Sequence, residues 1–399
     1  MANPRHRDMD RRYSLAIVSG HPTQWEGPFF AKLARHPLID LVVYYWSDLG
    51  LGRVREKDSG VVLRWDIPIF EGYKFCVLGQ SLRGIALLVR EILSSRYDAV
   101  VVEGHGGLVF LAAIVAAVLS GTPLFYRSDS TLLYRRSAVK RLLSRWLLPL
   151  FYRLMRGFLP LSSLAAEFLK AHGVTPERIF LAPYTVDNEY VSRLCKEYRL
   201  RREEIRQRWG IDAQSFVALA ILRFEERERP LDFLRAATLL DRKGLQCKFI
   251  LVGDGPQRPL VEDFISKQNL EVVLPGFRPY SELPMFYAIA DVFVHPAARE
   301  CWGLSVNEAM ACGLPVIVSD QVGAGYDLVR HGENGFVFPV GEVDILAKYI
   351  EELATNKELR ARLGTQAERT MESHSYDQCV SSFVQALSSL HRKHPGGKG

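Results

Sequence analysis

Two acids stand out in RECWGLSVNEAMACGLPVIVSD, residues 299–320: Glu300 and Glu308, with seven residues between them. Gly303 follows the first acid, and the second falls in a helix-like stretch that ends at Gly313 with Pro315 beyond. Ser305 or Asn307 is expected to cap a short helix over roughly 305–312. The N–H groups of Gly303, Leu304 and Ser305 would then be open at a helix start, a place for an anion or for sugar oxygens. A carboxylate accepts two hydroxyl hydrogen bonds, which suits the vicinal diol of a sugar or a ribose. The plainer alternative has both acids facing water and complementing the helix dipole.

Such a site needs strands to carry it. YSLAIVSG (13–20), LVVYYWS (41–47), DAVVVEG (98–104) and PLFYRSD (123–129) read as buried strands, and the apolar run 107–119 as a buried helix between the last two. FVALAILR (216–223), KFILVGDG (248–255), EVVLPG (271–276), DVFVHPA (291–297) and PVIVSD (315–320) repeat the pattern, with helices at 230–240, 257–268 and 281–290. Strands buried on both faces and alternating with helices predict two α/β, doubly wound, Rossmann-like domains. The domains are expected at 1–186 and 187–374. A helix in 375–399 is expected to return to the first domain, with a disordered basic tail. Two such domains side by side would place the site in the cleft between the C-terminal ends of their sheets.

Composition narrows the class. The chain has 399 residues, 48% of them hydrophobic and 24% charged, a globular balance. Residues 1–190 carry 24 Lys and Arg against 17 Asp and Glu, whereas the rest is nearly balanced, so an anionic partner is expected on the first half. Six scattered cysteines without a CxxC pair point to reduced thiols in a cytoplasmic protein. The charged start MANPRHRDMDRR shows no apolar signal segment. The longest apolar run, Leu108 to Leu119, is too short to span a membrane.

The 299–320 stretch resembles the Glu-x7-Glu motif of retaining glycosyltransferases of family 4, which have a GT-B fold. VGDGPQRPLVE (252–262), PGFRPYSELPMFYAIADVFVHPA (275–297) and GAGYDLVRHGENGFVFPVGE (323–342) resemble further landmarks of that family, so the likeness covers nearly all of 187–372. PTQWEGPFF, WDIPIFEGY and APYTVDN resemble a bacterial subset with less diagnostic motifs. The resemblance implies a nucleotide-sugar donor on the C-terminal domain. Glu308 would bind the ribose hydroxyls. Glu300, with the backbone of Gly303, Leu304 and Ser305, would bind the transferred sugar. The base would lie against Gly253 and the main chain at Phe277 and Arg278.

Negative charge develops on a leaving diphosphate, so cations or oriented N–H groups are needed beside it. Arg223 matches the family's phosphate arginine. Five residues on, where the family usually carries Lys, this chain has Glu228, inside RFEERERP. Either Arg227 or Arg229 supplies the missing charge, or the phosphate site is weak; the plainer alternative is that 225–229 is only a solvated charge run. On the N-terminal domain, Gly20 resembles a glycine facing the donor phosphates, with His21 and Gln24 in its loop. His105 and Asp129 are candidates on the acceptor side. The family implies metal independence, and no metal-binding motif is legible; the Asp8–Asp10 pair lies in the terminus.

Between 130 and 166 there are seven Lys and Arg and no acid, interleaved with Leu, Trp and Phe. The stretch 134–160 reads either as a basic amphipathic surface for anionic lipid or as a packed helix with an Arg-rich outer face, broken or kinked at Pro149. No nucleic-acid-reading module accompanies the charge, so nucleic acid is not expected. The leading expectation is transfer of a sugar from a nucleotide donor to a glycan, lipid-linked or small-molecule acceptor by a cytoplasmic enzyme, peripheral at the membrane. A nucleotide-sugar epimerase or hydrolase, and a non-catalytic nucleotide- or glycan-binding relative, remain open alternatives.

Overall fold

Six of the seven residues of YSLAIVS are buried, and they alternate between two cores. Leu15 and Ile17 face one apolar cluster, while Ala16 and Val18 face another. A strand packed on both faces belongs in the middle of a parallel sheet, and β1 (Tyr13–Ser19) sits there in the computed structural model, which describes residues 12–49, 51–55, 62–94, 96–104, 106–134 and 138–391.

The chain divides into two units. Of the described residues, one comprises those up to Arg55, Val62–Pro183 and Tyr376–His391; the other comprises Tyr184–Ser375. In the first, β1 is joined by β2 (Ile39–Tyr45), a hairpin of β3 (Leu51–Arg55) and β4 (Val62–Arg64), β5 (Lys74–Val77), β6 (Ala99–Glu103), β7 (Leu124–Ser128) and β8 (Gly157–Pro160). The main sheet runs β5-β2-β1-β6-β7-β8, all parallel. Its helices are α1 (Glu26–Arg35), α2 (Leu82–Leu93), α3 (Leu108–Ser120), α4 (Ala138–Tyr152) and α5 (Ser163–Ala171).

The second unit begins with α6 (Asn188–Arg199) and α7 (Arg202–Arg208). It then alternates β9 (Phe216–Ile221), α8 (Pro230–Arg242), β10 (Cys247–Val252), α9 (Arg258–Gln268), β11 (Val272–Gly276), α10 (Leu283–Ile289), β12 (Val292–His295), α11 (Leu304–Ala311), β13 (Val316–Ser319), α12 (Gly323–Leu328) and β14 (Gly335–Phe338), and closes with α13 (Val343–Thr355) and α14 (Lys357–Ser373). Its sheet runs β11-β10-β9-β12-β13-β14, again all parallel. Both sheets reverse direction of winding once, between β1 and β6 and between β9 and β12. Ligands of doubly wound sheets bind at that point, beyond the C-terminal strand ends.

The last helix, α15 (Tyr376–Ser388), belongs to the first unit. Tyr376, Cys379, Val380, Phe383, Ala386 and Leu387 fall on one helical face and enter the same core as Leu15 and Phe29.

Several expectations are corrected. α3 is not buried all round: Val109, Phe110, Ala113, Ile114, Ala116 and Ala117 pack inward, while Leu108, Leu111, Val115 and Leu119 are exposed. Pro149 does not break α4, which runs on to Tyr152. The proline removes the donor for the carbonyl of Arg145, and Arg145 is exposed, so water can take its place. The helix after Glu300 starts earlier than expected. Gly303, in the left-handed region at φ 96°, is its N-terminal boundary residue, and neither Ser305 nor Asn307 caps it. Asn307 is instead inside the helix, accepting a hydrogen bond from Trp302 Nε1 at 2.7 Å. His105, Asp8, Asp10, residues 135–137 and the tail beyond His391 lie outside the described residues.

Candidate active site

In the second unit, the loops that leave β9 and β12 meet at the switch point. The Ala298 N–H donates to the Arg227 carbonyl at 2.7 Å and ties the two together. Arg223 is exposed just past β9. Beyond it, Glu226–Glu228 form a single tight turn that ends at Arg229, itself left-handed at φ 54°. This turn sends neighbouring side chains to different partners. Arg227 points back across the switch point, and its guanidinium pairs with Glu225, Glu228 and Glu300, each at 2.8–2.9 Å. Arg229 turns the other way and pairs with Asp232 at the start of α8.

Residues 225–229 are therefore not a solvated charge run. Glu228 is buried, and burial pushes its carboxyl up to about 8, with the Glu300 charge adding and Arg227 opposing. Glu300 accepts from Arg227 through one carboxylate oxygen and from the Trp302 N–H, at 3.3 Å, through the other. Its backbone bridges to Val322, and the Gly323 N–H donates to its carbonyl at 2.9 Å, so the loop is anchored to the segment after β13. Next comes Gly303. A Cβ there would stand 3.3–3.5 Å from Val322, His295 and Glu300, on a backbone that side chains rarely adopt. The first-turn amides of Leu304 and Ser305, as at any helix start, have no intrahelical acceptor.

Glu308 lies one turn into α11 and does not face water. It is 4% exposed, and the Tyr287 hydroxyl donates to its Oε2 at 2.6 Å. Burial raises the carboxyl to about 7, which the Tyr287 hydrogen bond opposes. The solvated-acid alternative thus fails for Glu308. Gly253 follows β10 at φ 138°, and a Cβ would collide with the Leu222 carbonyl oxygen. Its backbone conformation and this packing each require glycine. Phe277 is a large exposed aromatic just past β11. Arg278 holds that loop, stacking its guanidinium 5.4 Å from the Trp209 ring and donating to the Pro275 carbonyl.

In the first unit, Gly20 follows β1, and a Cβ would meet nothing within 4 Å. Asp129 follows β7 and is half-buried. A cluster that sequence reading did not single out lies at this unit's own switch point. Arg127 is 2% exposed and donates through one nitrogen to Glu26, at 3.1 Å, and to Glu103. Trp25 and Phe29 flank its guanidinium at 5.1 and 5.3 Å. Burial pushes the Glu26 carboxyl up to about 8, helped by Glu103 and opposed by Arg127. These residues come from β7, α1 and β6, so no local spacing announces them. His295 was missed likewise; its only signal was an imidazole in an otherwise apolar strand.

Residues 201–370 match the family described as glycosyl transferases group 1, and residues 39–185 match a glycosyl transferase 4-like domain. Alpha-D-kanosaminyltransferase of Streptomyces kanamyceticus is 27% identical over 315 residues, covering 74% of this chain and 79% of that one. Alpha-monoglucosyldiacylglycerol synthase of Acholeplasma laidlawii is 26% identical over 227 residues, which span 55% of this chain and about half, 54%, of that enzyme. The crystal structure of Anabaena HepE in complex with UDP matches with a TM-score of 0.73 at 20% identity, over 94% of this chain and 100% of that one. With two parallel doubly wound units and both halves matched by transferase families, the chain is a glycosyltransferase of GT-B fold, related to the group 1 and 4-like transferases.

Proposed function

We propose that the enzyme transfers a sugar from a nucleotide-sugar donor with retention of anomeric configuration, and that the second unit holds the donor. The observation that carries this reading is the Arg227–Glu300 ion pair at the switch point, immediately before the open first turn of α11. Glu308 takes the ribose hydroxyls, and its fixed carboxylate supports that role. Glu300 and the amides of Gly303, Leu304 and Ser305 take the transferred sugar. Arg223 and Arg227 face the diphosphate, whereas Arg229 is committed to Asp232 and holds the turn. Phe277, with the backbone of Gly253 and Arg278, receives the base. The UDP bound by the HepE relative favours a uridine donor.

In the retaining step the acceptor hydroxyl attacks the anomeric carbon on the face that the diphosphate leaves. The bond to the diphosphate oxygen breaks, and the departing phosphate takes the acceptor proton, so no protein base is required. Glu300 and Arg223 act on the reacting sugar and the leaving group. His105 and Asp129 belong to the acceptor unit and position its ligand, while Gly20 keeps the donor-phosphate role that the family resemblance implies.

The acceptor is a glycan, lipid-linked or small molecule, and a second observation favours one met at a membrane. Along α4 and just past it, Leu142, Trp146, Leu147, Leu150 and Leu154 are exposed, Trp146 at 73% and Leu150 at 62%. The outer face of α3 adds Leu108, Leu111, Val115 and Leu119. Apolar faces of this extent, flanked by Arg145 and Arg153, suit the headgroup region of an anionic bilayer. No described helix is long and apolar enough to cross one.

Thermal melting with UDP, GDP, ADP and their sugars identifies the donor, because a ligand of the native state raises its stability. NMR of the product then reads its anomeric configuration. Inversion would sink the retaining mechanism, and no response to any nucleotide would sink the donor reading.

A further inference from the structure

Glu228, His295 and Glu300 each offer one ligand atom, and these atoms all lie within 4.8 Å of one another. They come from the turn after β9, the last residue of β12 and the loop before α11. His295 Nε2 is 3.9 Å from a Glu228 carboxylate oxygen, too far for a hydrogen bond. Neither ring nitrogen of His295 has a hydrogen-bond partner, although the residue is only 3% exposed. Buried polar groups nearly always find partners. An imidazole with both nitrogens unsatisfied, beside two carboxylates, is therefore an unusual arrangement that a ligand would complete.

Nε2 is the nitrogen aimed at the gap. A Cβ on Gly303 would stand 3.4 Å from it and 3.5 Å from Glu300 Cγ, so glycine keeps the space between them open. The charge balance points the same way. Glu225, Glu228 and Glu300 share the single guanidinium of Arg227. Arg223 is near enough to act on Glu228 as well, which leaves three carboxyls to two guanidinium groups.

We propose that Glu228, His295 and Glu300 bind a divalent transition-metal ion. One imidazole and two carboxylates suit Zn2+, Mn2+ or Co2+ better than Mg2+ or Ca2+, which favour all-oxygen shells. Metal–ligand bonds of about 2.1 Å require neighbouring ligand atoms roughly 3–3.5 Å apart, so small rotations close the site. Arg227 is partly exposed and can swing out as the ion enters. Three protein ligands leave coordination positions for water or a phosphate oxygen. The ion would then supply the positive charge that Glu228 removes from this position. This last role rests on the donor reading; the ion site does not.

The full chain, stripped with a chelator, is titrated with Mn2+, Zn2+ and Mg2+ by calorimetry, and Mn2+ binding is also followed by electron paramagnetic resonance. One Mn2+ or Zn2+ per chain is expected, with Mg2+ at least tenfold weaker. His295→Ala and Glu228→Gln should each weaken Mn2+ at least tenfold while keeping the circular dichroism of the folded chain. If His295→Ala fails to fold, Glu228→Gln and His295→Asn carry the test. No stoichiometric ion on the wild type, or affinity unchanged in the folded variants, overturns the proposal. UDP is then titrated with and without Mn2+. A tenfold tighter UDP complex with Mn2+, in the wild type alone, supports the role beside the diphosphate. Stoichiometric Mn2+ without any UDP binding keeps the ion site and overturns the donor reading instead.

Discussion

The Tyr287 hydroxyl donates to Glu308 Oε2 across 2.6 Å, joining α10 to α11 inside the second unit. Both side chains are buried, so the bond has no solvent substitute. Tyr287→Phe leaves a buried carboxyl oxygen without its donor and should cost about 1–3 kcal/mol. Urea unfolding measures this as a lower midpoint at constant slope. An unchanged midpoint would mean that the bond contributes nothing.

The same carboxyl makes stability depend on pH. Burial lifts Glu308 from its ordinary value to about 7, so across that interval the folded chain holds a proton that the unfolded chain has released. Its contribution is complete below the ordinary value and is lost as pH rises through about 7. Glu308→Gln removes the titration. The stability of the variant relative to wild type should therefore rise between pH 5 and pH 8, by at most about 3 kcal/mol. His295 works in the opposite direction: burial lowers it to about 4, and its contribution is lost as pH falls through that value. Melting both proteins at each pH isolates Glu308, and parallel curves would refute the shift.

Arg227 and Arg229 are two residues apart and should behave differently. Arg227→Ala strips the cation from Glu228 and Glu300, and should weaken UDP about tenfold or more, the worth of a charged hydrogen bond. Arg229→Ala loses only a contact with Asp232 and should stay within about threefold. Calorimetric titration decides, and the reverse ranking would remove Arg227 from the phosphate role.

Breaking the buried triad of the first unit should be severe. Arg127→Met leaves the buried Glu26 and the partly buried Glu103 without their cation, at about 3–5 kcal/mol. Adding Glu26→Gln and Glu103→Gln should recover part of that loss. Denaturant unfolding of the single and triple variants checks it; a triple variant no more stable than Arg127→Met would count against the charge argument.

The exposed face of α4 should matter only where lipid is present. Trp146→Ser with Leu150→Ser replaces two exposed side chains and should change stability by less than about 0.5 kcal/mol. It should weaken flotation with anionic vesicles clearly. Equal flotation of variant and wild type, or of anionic and neutral vesicles, would dismiss the membrane face.

Much of this molecule was readable from its residues. Long β-branched runs such as DAVVVEG and KFILVGDG announced central parallel strands, because only burial on both faces explains them. The short edge strands Gly157–Pro160 and Gly335–Phe338 did not announce themselves, since four residues carry too little pattern. α3 misled because apolar composition all round implies burial all round, whereas its outer face is left to solvent. At the site, Glu300 and Glu308 were legible as a spaced pair, but the partner of each was not. Arg227 reaches Glu300 across 73 positions of sequence, and Tyr287 reaches Glu308 across 21. Which of the two arginines, 227 or 229, turns inward depends on the left-handed backbone at 229, and nothing in RFEERERP declares it.

The placement of α15 also orders events during synthesis. The described residues of the second unit are continuous in the chain, so it can close as soon as they leave the ribosome. The first unit is begun earlier but lacks Phe383, Leu387 and their neighbours until all of Tyr184–Ser375 has been made. Its nascent sheet must wait with part of one apolar face uncovered, and the later-made half of the enzyme is the one equipped to finish folding first.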